Sequence, residues 1–249
     1  MKNEIKISNK DKKGIIYGLL LGDASKPCKN IIEFSHTDKQ KEYCYWKIEF
    51  LKELGFTTYM KTYDNVKTNY GIFNYYRGKV TISFGDDIDK RMYQYTDSKG
   101  RPINKKVTKY VMQRIHPIGL LLWFMDDGSF IWHRRLTDKT SITRQATIAI
   151  NGFDNDSMNN IVKGLKERFD LNLKLHKDHK SFRLYFSATE FRKFIDIVRP
   201  YLFIVPKHML YKFCMRYTKT RRTDSIHLYS NYNLCSGSCL IPDKFCGNI

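Results

Sequence analysis

The sequence predicts an α+β fold built as two tandem, pseudo-symmetric units, and three observations carry that expectation. Two apolar helical runs end in acid, "GIIYGLLLGDAS" (Gly14 to Ser25) and "PIGLLLWFMDDGSF" (Pro117 to Phe130), and Asp127 follows Asp23 by 104 residues in a chain of 249. Amphipathic and alternating segments recur at nearly that offset, so each half reads helix, strands, helix, strands, helix. The alternating segments are apolar on one face and polar or basic on the other, the pattern of a sheet with helices packed on a single side.

The elements follow in order. In the first run Gly14, Gly18 and Gly22 fall at i, i+4 and i+8. Glycine costs a helix ~1 kcal/mol against alanine, so three of them require a packing reason: one face is left bare for a second backbone. A strand is expected over Ile31 to Ser35, then a helix whose apolar stripe is Tyr43, Trp46, Phe50, Leu51 and Leu54. Val80 to Phe84 alternates as a strand and leads into a helical pattern of Ile88, Met92 and Tyr95. The stretch Asp97 to Lys109, "DSKGRPINKKVTK", has the composition of a linker. The second run is apolar all round and is therefore buried, packed on the first. It carries Leu122 and Asp126 at the positions matching Gly18 and Gly22, which leaves close approach on that side open. Strands at Thr147 to Ile150, Leu171 to His176 and Phe182 to Phe186 are interleaved with helices marked by Met158, Ile161, Val162, Leu165 and Phe169, and by Phe191, Phe194, Ile195 and Val198. Periodicity ends near Lys219. The expected organisation is a first half over 1–100, a linker over 101–116, a second half over 117–218 and a tail over 219–249.

Lys plus Arg number 44 against 25 Asp plus Glu, a net charge of +19 that points to a polyanionic partner. The same balance would also arise in a protein merely kept soluble by charge. With 42% hydrophobic residues the chain is not disordered, and its longest apolar run, Ile118 to Met125, is far short of the ~18 residues a membrane helix needs. The lysine-rich start followed by "GIIYGLLLG" imitates a signal peptide, but Asp23 stands where a cleavage site would be. Six cysteines without disulfide-dense spacing are expected as reduced thiols in an intracellular compartment, and Cys235, Cys239 and Cys246 with His227 match no standard zinc spacing. Abundant Lys, Asn, Ile, Tyr and Phe are what A/T-rich codons of an organelle genome produce.

The acids at the two helix ends carry the chemistry. A carboxylate at a helix C-terminus opposes the macrodipole, and two brought together by paired helices also repel. A divalent cation removes both penalties, and carboxylates around metals beside a basic surface are what phosphodiester hydrolysis requires. Read singly, Asp23 and Asp127 would be loop-start residues after core helices; the pair at half-chain spacing in so basic a protein points to a nuclease.

"IYGLLLGDA" and "LLLWFMDDG" resemble the two signature motifs of the LAGLIDADG homing endonucleases in their single-chain, two-motif form, with "VKGLKERFDLN" and "VRPYLFIVPKHMLYKF" similar to further stretches of a subfamily; the resemblance covers about residues 14 to 216. Ala24 departs from the first motif, where the family has glycine. The resemblance implies a saddle-shaped antiparallel sheet in each half, lying along the major groove of duplex DNA, with the motif helices paired between them. It implies Asp23 and Asp127 as metal ligands, the backbone carbonyls of Gly22 and Asp126 as helpers, and two or three Mg²⁺ ions that Mn²⁺ would replace. One lysine per half is expected near the scissile phosphates: Lys212 in "MLYKF", and either Lys105 or Lys106 in "NKKVT". Two halves side by side span about 70 Å, or ~20 base pairs, so the target is long and asymmetric. Candidate DNA contacts are Lys26, Lys29, Arg77 and Lys79 in the first half and Arg134, Arg135, Arg144, Lys174, Lys177, Lys180 and Arg183 in the second, each open to the alternative of plain solvation. The implied protein is a monomeric, Mg²⁺-dependent double-strand DNA endonuclease of a mitochondrial, organelle-encoded intron. An intron-RNA-binding maturase and a catalytically inactive DNA-binding protein are the alternatives.

Overall fold

The computed structural model describes residues 7–213 apart from 94, 97–101, 104, 135–141 and 179–180. Its two halves repeat one plan. The first contains α1 (Asn9–Leu21), β1 (Ser25–Cys28), β2 (Ile31–Thr37), α2 (Lys41–Glu53), β3 (Thr57–Thr68), β4 (Gly71–Thr81) and α3 (Gly85–Met92). A two-stranded ribbon, β5 (Tyr95–Thr96) with β6 (Pro102–Ile103), and α4 (Lys109–Arg114) follow. The second half contains α5 (Pro117–Asp127), β7 (Gly128–Arg134), β8 (Ile142–Ala149), α6 (Asn155–Phe169), β9 (Lys174–Asp178), β10 (Ser181–Phe186) and α7 (Ala188–Val198), then two 3₁₀ segments, Arg199–Ile204 and Lys207–Lys212. Both four-stranded sheets are antiparallel and share one strand order, β1-β2-β4-β3 and β7-β8-β10-β9. The expected α+β architecture of two helix-backed sheets is the one observed.

The helix starts are set by their caps. Ser8 and Asp11 form a reciprocal capping box on α1, His116 Nδ1 accepts from the Ile118 N–H ahead of Pro117 on α5, and Asp154 and Ser187 cap α6 and α7. Each satisfies a backbone donor that has no partner within its own helix.

The paired motif helices form the centre of the molecule, with Ile15 to Leu21 and Ile118 to Met125 buried. Side-chain-free contact is made by Gly18 against Gly119: a Cβ on Gly18 would stand 2.1 Å from the Gly119 carbonyl oxygen, and one on Gly119 would stand 2.5 Å from that of Gly14. The small residue of the second helix is thus Gly119, one position past Ile118, the place that matches Gly14, and Leu122 at the place that matches Gly18 does not prevent the contact. Around α5 the second core is aromatic, with the Phe124 ring 4.7–6.1 Å from those of Phe186, Phe191, Phe194 and Phe213.

Three element boundaries differ from expectation. Of Val80 to Phe84 only Val80 and Thr81 belong to a strand, the end of β4. The β3–β4 hairpin itself gives little apolar signal, because its distal part is exposed on both faces and a bulge at Asn65 (φ 54°) shifts the register between Tyr63 and Val66. Tyr95 lies in β5, beyond the end of α3. Strand β9 starts at Lys174 rather than Leu171. Asp170 caps α6 in the left-handed region, the Leu171 N–H returns to the Leu165 carbonyl at 3.2 Å, and the Asn172 N–H donates to Glu190 at 2.7 Å, so these donors are committed before the sheet begins. The stretch with linker composition includes ordered backbone at its end: the Lys106 N–H donates to Met92 O at 2.7 Å, and the Val107 N–H donates to Ser157 Oγ at 2.9 Å. Among the described residues no helix is long and apolar enough to cross a membrane. Cys28 and Cys44 are free thiols, whereas Cys235, Cys239, Cys246, His227 and the tail lie outside the described residues.

Candidate active site and nucleic-acid face

Packing α1 on α5 brings the two acidic ends together. Asp127 is the last residue of α5, and Asp23 lies just past the end of α1, where Gly22 N–H closes the helix on Gly18 O and Leu19 O. Burial, then the charges of Asp23 and Asp126, push the Asp127 carboxyl up to about 7. Burial and the Asp126 charge raise Asp23 as well, and Lys47, Lys212 and Lys105 oppose this.

The two expected lysines sit on either side. Lys105 Nζ donates to the Gly22 carbonyl at 3.2 Å, and Lys212 Nζ donates to Met125 O at 2.5 Å and to Asp126 O at 3.3 Å. Burial lowers both ammonium groups while the three acids hold them up. Of Lys105 and Lys106, the structure brings the first to the acidic helix ends, whereas Lys106 Nζ lies 3.8 Å from Asp154. Lys105 is aimed because the chain beside it is tied to both halves through Met92 and Ser157. A cleft of about 360 Å³ opens here, lined by Gly22, Lys105, Asp127, Asn151, Gly152 and Phe153 among others.

This donor set fits a hard divalent cation. Two carboxylates whose charge is costly where they lie, and two peptide carbonyls that already attract ammonium groups, are all-oxygen ligands at one point. The Asp126 carboxylate lies with Asp23 and His36 in a group of ligand atoms within 4.8 Å of one another, but its oxygens are already engaged. It is fully buried, with Lys47 Nζ at 2.6 Å, Tyr43 OH at 2.7 Å and the Asp23 N–H at 3.2 Å. His36 lies beside it, its Nδ1 bonded to Gln40 at 2.9 Å and 4.0 Å from Asp23, and burial with the Lys47 charge brings its pKa down to about 4. Nothing in local sequence marks Lys47, Tyr43 or His36; only a lysine on an otherwise apolar helix stripe hints at a buried partner.

A pH prediction follows for the protein without divalent ions. An Asp whose folded pKa is about 7 holds its proton more tightly than the unfolded chain, at ~3.9. The group is neutral to stability below about pH 4 and costs stability as pH rises through 7. Asp127→Asn in chelator is therefore expected to be the more stable protein at pH 8, by about 3 kcal/mol after a discount for partial exposure, with the gap closing by pH 4. Urea unfolding of both proteins at the two pH values measures this, and a pH-independent difference would refute it.

The outward sheet faces hold the remaining candidates. By register, Glu33 and Ser35 on β2, Tyr59, Lys61 and Tyr63 on β3, and Tyr75, Arg77 and Lys79 on β4 share one face of the first sheet. Arg77 Nε is 3.2 Å and Lys79 Nζ 3.5 Å from the Glu33 carboxylate, and the Arg77 guanidinium lies 4.7 Å from the Tyr63 ring centre. Tyr59, Lys61, Tyr63 and Tyr75 escape sequence reading because the hairpin that carries them does. Lys29 is exposed and 2.9 Å from Asp86. Lys26 does not join this face: its side chain is fully buried, with Nζ 2.7 Å from both Asp89 oxygens, so it pins β1 to α3. In the second sheet Lys174, His176, Arg183 and Tyr185 share a face, whereas Lys177 pairs with Phe182 and falls on the helix-backed side. Arg134 and Arg144 are placed by backbone alone, on β7 and β8, and Arg135 and Lys180 lie outside the described residues.

Comparison with known proteins agrees with this fold. Among solved structures the chain is similar to the homing endonuclease I-WcaI bound to its DNA recognition sequence, with a TM-score of 0.59, 19% identity, and 85% of this chain and 89% of that chain covered. It is also similar to full-length DUF199/WhiA from Thermatoga maritima, with a TM-score of 0.50, 14% identity, and 83% and 60% covered. At such identities the likeness is one of fold. The model of the LAGLIDADG DNA endonuclease family matches residues 13–194, well over half the sequence, and the chain belongs to that family.

Proposed function

We propose that this protein is a site-specific homing endonuclease that hydrolyses one phosphodiester bond in each strand of a long, asymmetric duplex target and so promotes intron mobility. The observation that carries the reading is the convergence of Asp23 and Asp127 from separate halves, with Lys105 and Lys212 directed at the same helix ends. We read the two motifs as similar to those of the yeast mitochondrial intron endonuclease I-SceI, and on that likeness we propose a mitochondrial, organelle-encoded protein. One chain supplies both motifs, so a monomer suffices, with halves at 1–100 and 117–218 joined by 101–116.

Asp23 and Asp127, with the carbonyl oxygens of Gly22 and Asp126, are the groups that would hold two or three Mg²⁺ or Mn²⁺ ions. When bound, such ions supply an activated water and neutralise the leaving oxygen. The chain's own part is to position and to shield. Lys105 and Lys212 carry donors to the non-bridging oxygens of the phosphates, where buried positive charge favours the crowded, more negative transition state. The outward residues of the two sheets, Arg77, Lys79, Lys61, Lys174 and Arg183, hold the duplex so that its scissile phosphates arrive at the helix ends.

The test is to incubate the protein with a DNA library that includes uninterrupted organellar ribosomal-RNA genes, with Mg²⁺ or chelator, and to sequence all new ends. Discrete Mg²⁺-dependent ends are expected. Salt-sensitive binding to DNA or to intron RNA without any cleavage would overturn the nuclease reading.

A further inference from the structure

We infer that Lys47 and Tyr43 are positioning residues for Asp23, acting through the buried carboxylate of Asp126. The inference rests on the reading of Asp23 as an active-site acid. Asp126 belongs to α5 of the second half, yet among the described residues the groups hydrogen-bonded to its carboxylate, from Tyr43, Lys47 and Asp23, all come from the first half. Lys47 and Tyr43 reach it from α2 at 2.6 and 2.7 Å, and its other oxygen accepts the Asp23 N–H at 3.2 Å. One carboxylate therefore ties the loop that follows α1 to the end of α5, and α2 fixes that carboxylate in turn. Lys47 has no freedom to lie elsewhere, being fully buried with its ammonium 4.8 Å from the Phe34 ring centre and 4.4 Å from that of Tyr43.

The pseudo-symmetry of the fold shows that this is a device and not a by-product of the architecture. Setting Tyr43 on Ser157 aligns the buried faces of α2 and α6, bringing Cys44 to Met158, Leu51 to Leu165 and Lys47 to Ile161. The motif position matching Asp126 is Gly22. Both members of the ion pair are thus missing from the other half, and Gly22 is the residue that makes room: a Cβ there would stand 2.6 Å from Asp126 Oδ2. A buried carboxylate without its ammonium would be costly, so the two belong together. Asp127 needs no such support, since it is the final residue of α5 itself. The network therefore acts on one acid of the two.

Two variants and two readouts test this. Tyr43→Phe removes a single hydroxyl and keeps the ring packing, and Lys47→Met removes the charge at similar length. Backbone amide exchange, followed on ¹⁵N-labelled protein, is expected to quicken about tenfold at Asp23 in either variant, the loss of one buried hydrogen bond, and to stay unchanged at Asp127. On a supercoiled plasmid carrying the target, nicked circles are expected to accumulate, because one strand is slowed more than the other. Unchanged exchange at Asp23, or equal slowing of both strands in step with a lowered unfolding temperature, would overturn the proposal. If Lys47→Met does not fold, Tyr43→Phe decides alone. If the wild-type protein cuts no DNA, the nuclease reading fails while the exchange measurement still decides the positioning role.

Discussion

Asp127→Asn is expected to fold, to bind its duplex target with affinity near that of wild type, and to yield no linear product, cleavage falling by ~10³-fold or more. That factor corresponds to ~4 kcal/mol of transition-state stabilisation, the order expected when an acid that holds a catalytic ion is lost. Binding is expected to survive because the residues proposed to contact the duplex lie on the outward sheet faces, away from the helix ends. Asn also relieves the burial of charge and the crowding by Asp23 and Asp126 that hold the Asp127 carboxyl near 7, so loss of activity accompanies a gain in metal-free stability. Asp23→Asn is expected to lose linear product in the same way. Gel-shift and plasmid-cleavage assays at matched salt separate the two effects. Cleavage retained by Asp127→Asn would remove the site assignment, and loss of binding would show that the acid serves the fold instead.

Gly18→Ala is expected to destabilise the protein by ~3 kcal/mol or more, although alanine is the better helix former by ~1 kcal/mol. The sign is the diagnostic. The added methyl would stand 2.1 Å from the Gly119 carbonyl oxygen and 2.3 Å from its Cα, and neither atom can move without shifting a helix. Both helices are buried along this contact, so the strain cannot escape into solvent. Any widening also parts Asp23 from Asp127, and residual folded protein should cleave poorly. Urea denaturation with plasmid cleavage checks both consequences. A Gly18→Ala protein as stable as wild type would mean that the helices are not in backbone contact.

Much of this molecule is legible in the chain because its information is local. Two apolar runs ending in acid, repeated at half-chain spacing, establish the two-unit plan, and 3.6- and 2-residue periodicities locate most helices and the inner strands. The motif acids Asp23 and Asp127 could be named from the residues, and the distant Lys212 from the resemblance to the LAGLIDADG family. The β3–β4 hairpin could not, because a strand exposed on both faces leaves no alternation to read.

What only the tertiary structure decided concerns partners far apart in sequence. Lys105 and Lys106 are indistinguishable as neighbours, and the ties to Met92 and Ser157 aim the first at Gly22 and leave the second beside Asp154. Lys26 reads as a surface lysine until Asp89 is found within 2.7 Å. Gly119 and Lys47 had no visible role, since each is explained by an atom of the opposite half. Periodicity tells a residue which face it occupies, from the geometry of its own helix or strand. Which charge meets which across two packed halves depends on a docking that no local pattern contains, and electrostatic and steric energies that vary over a few ångströms are settled only there.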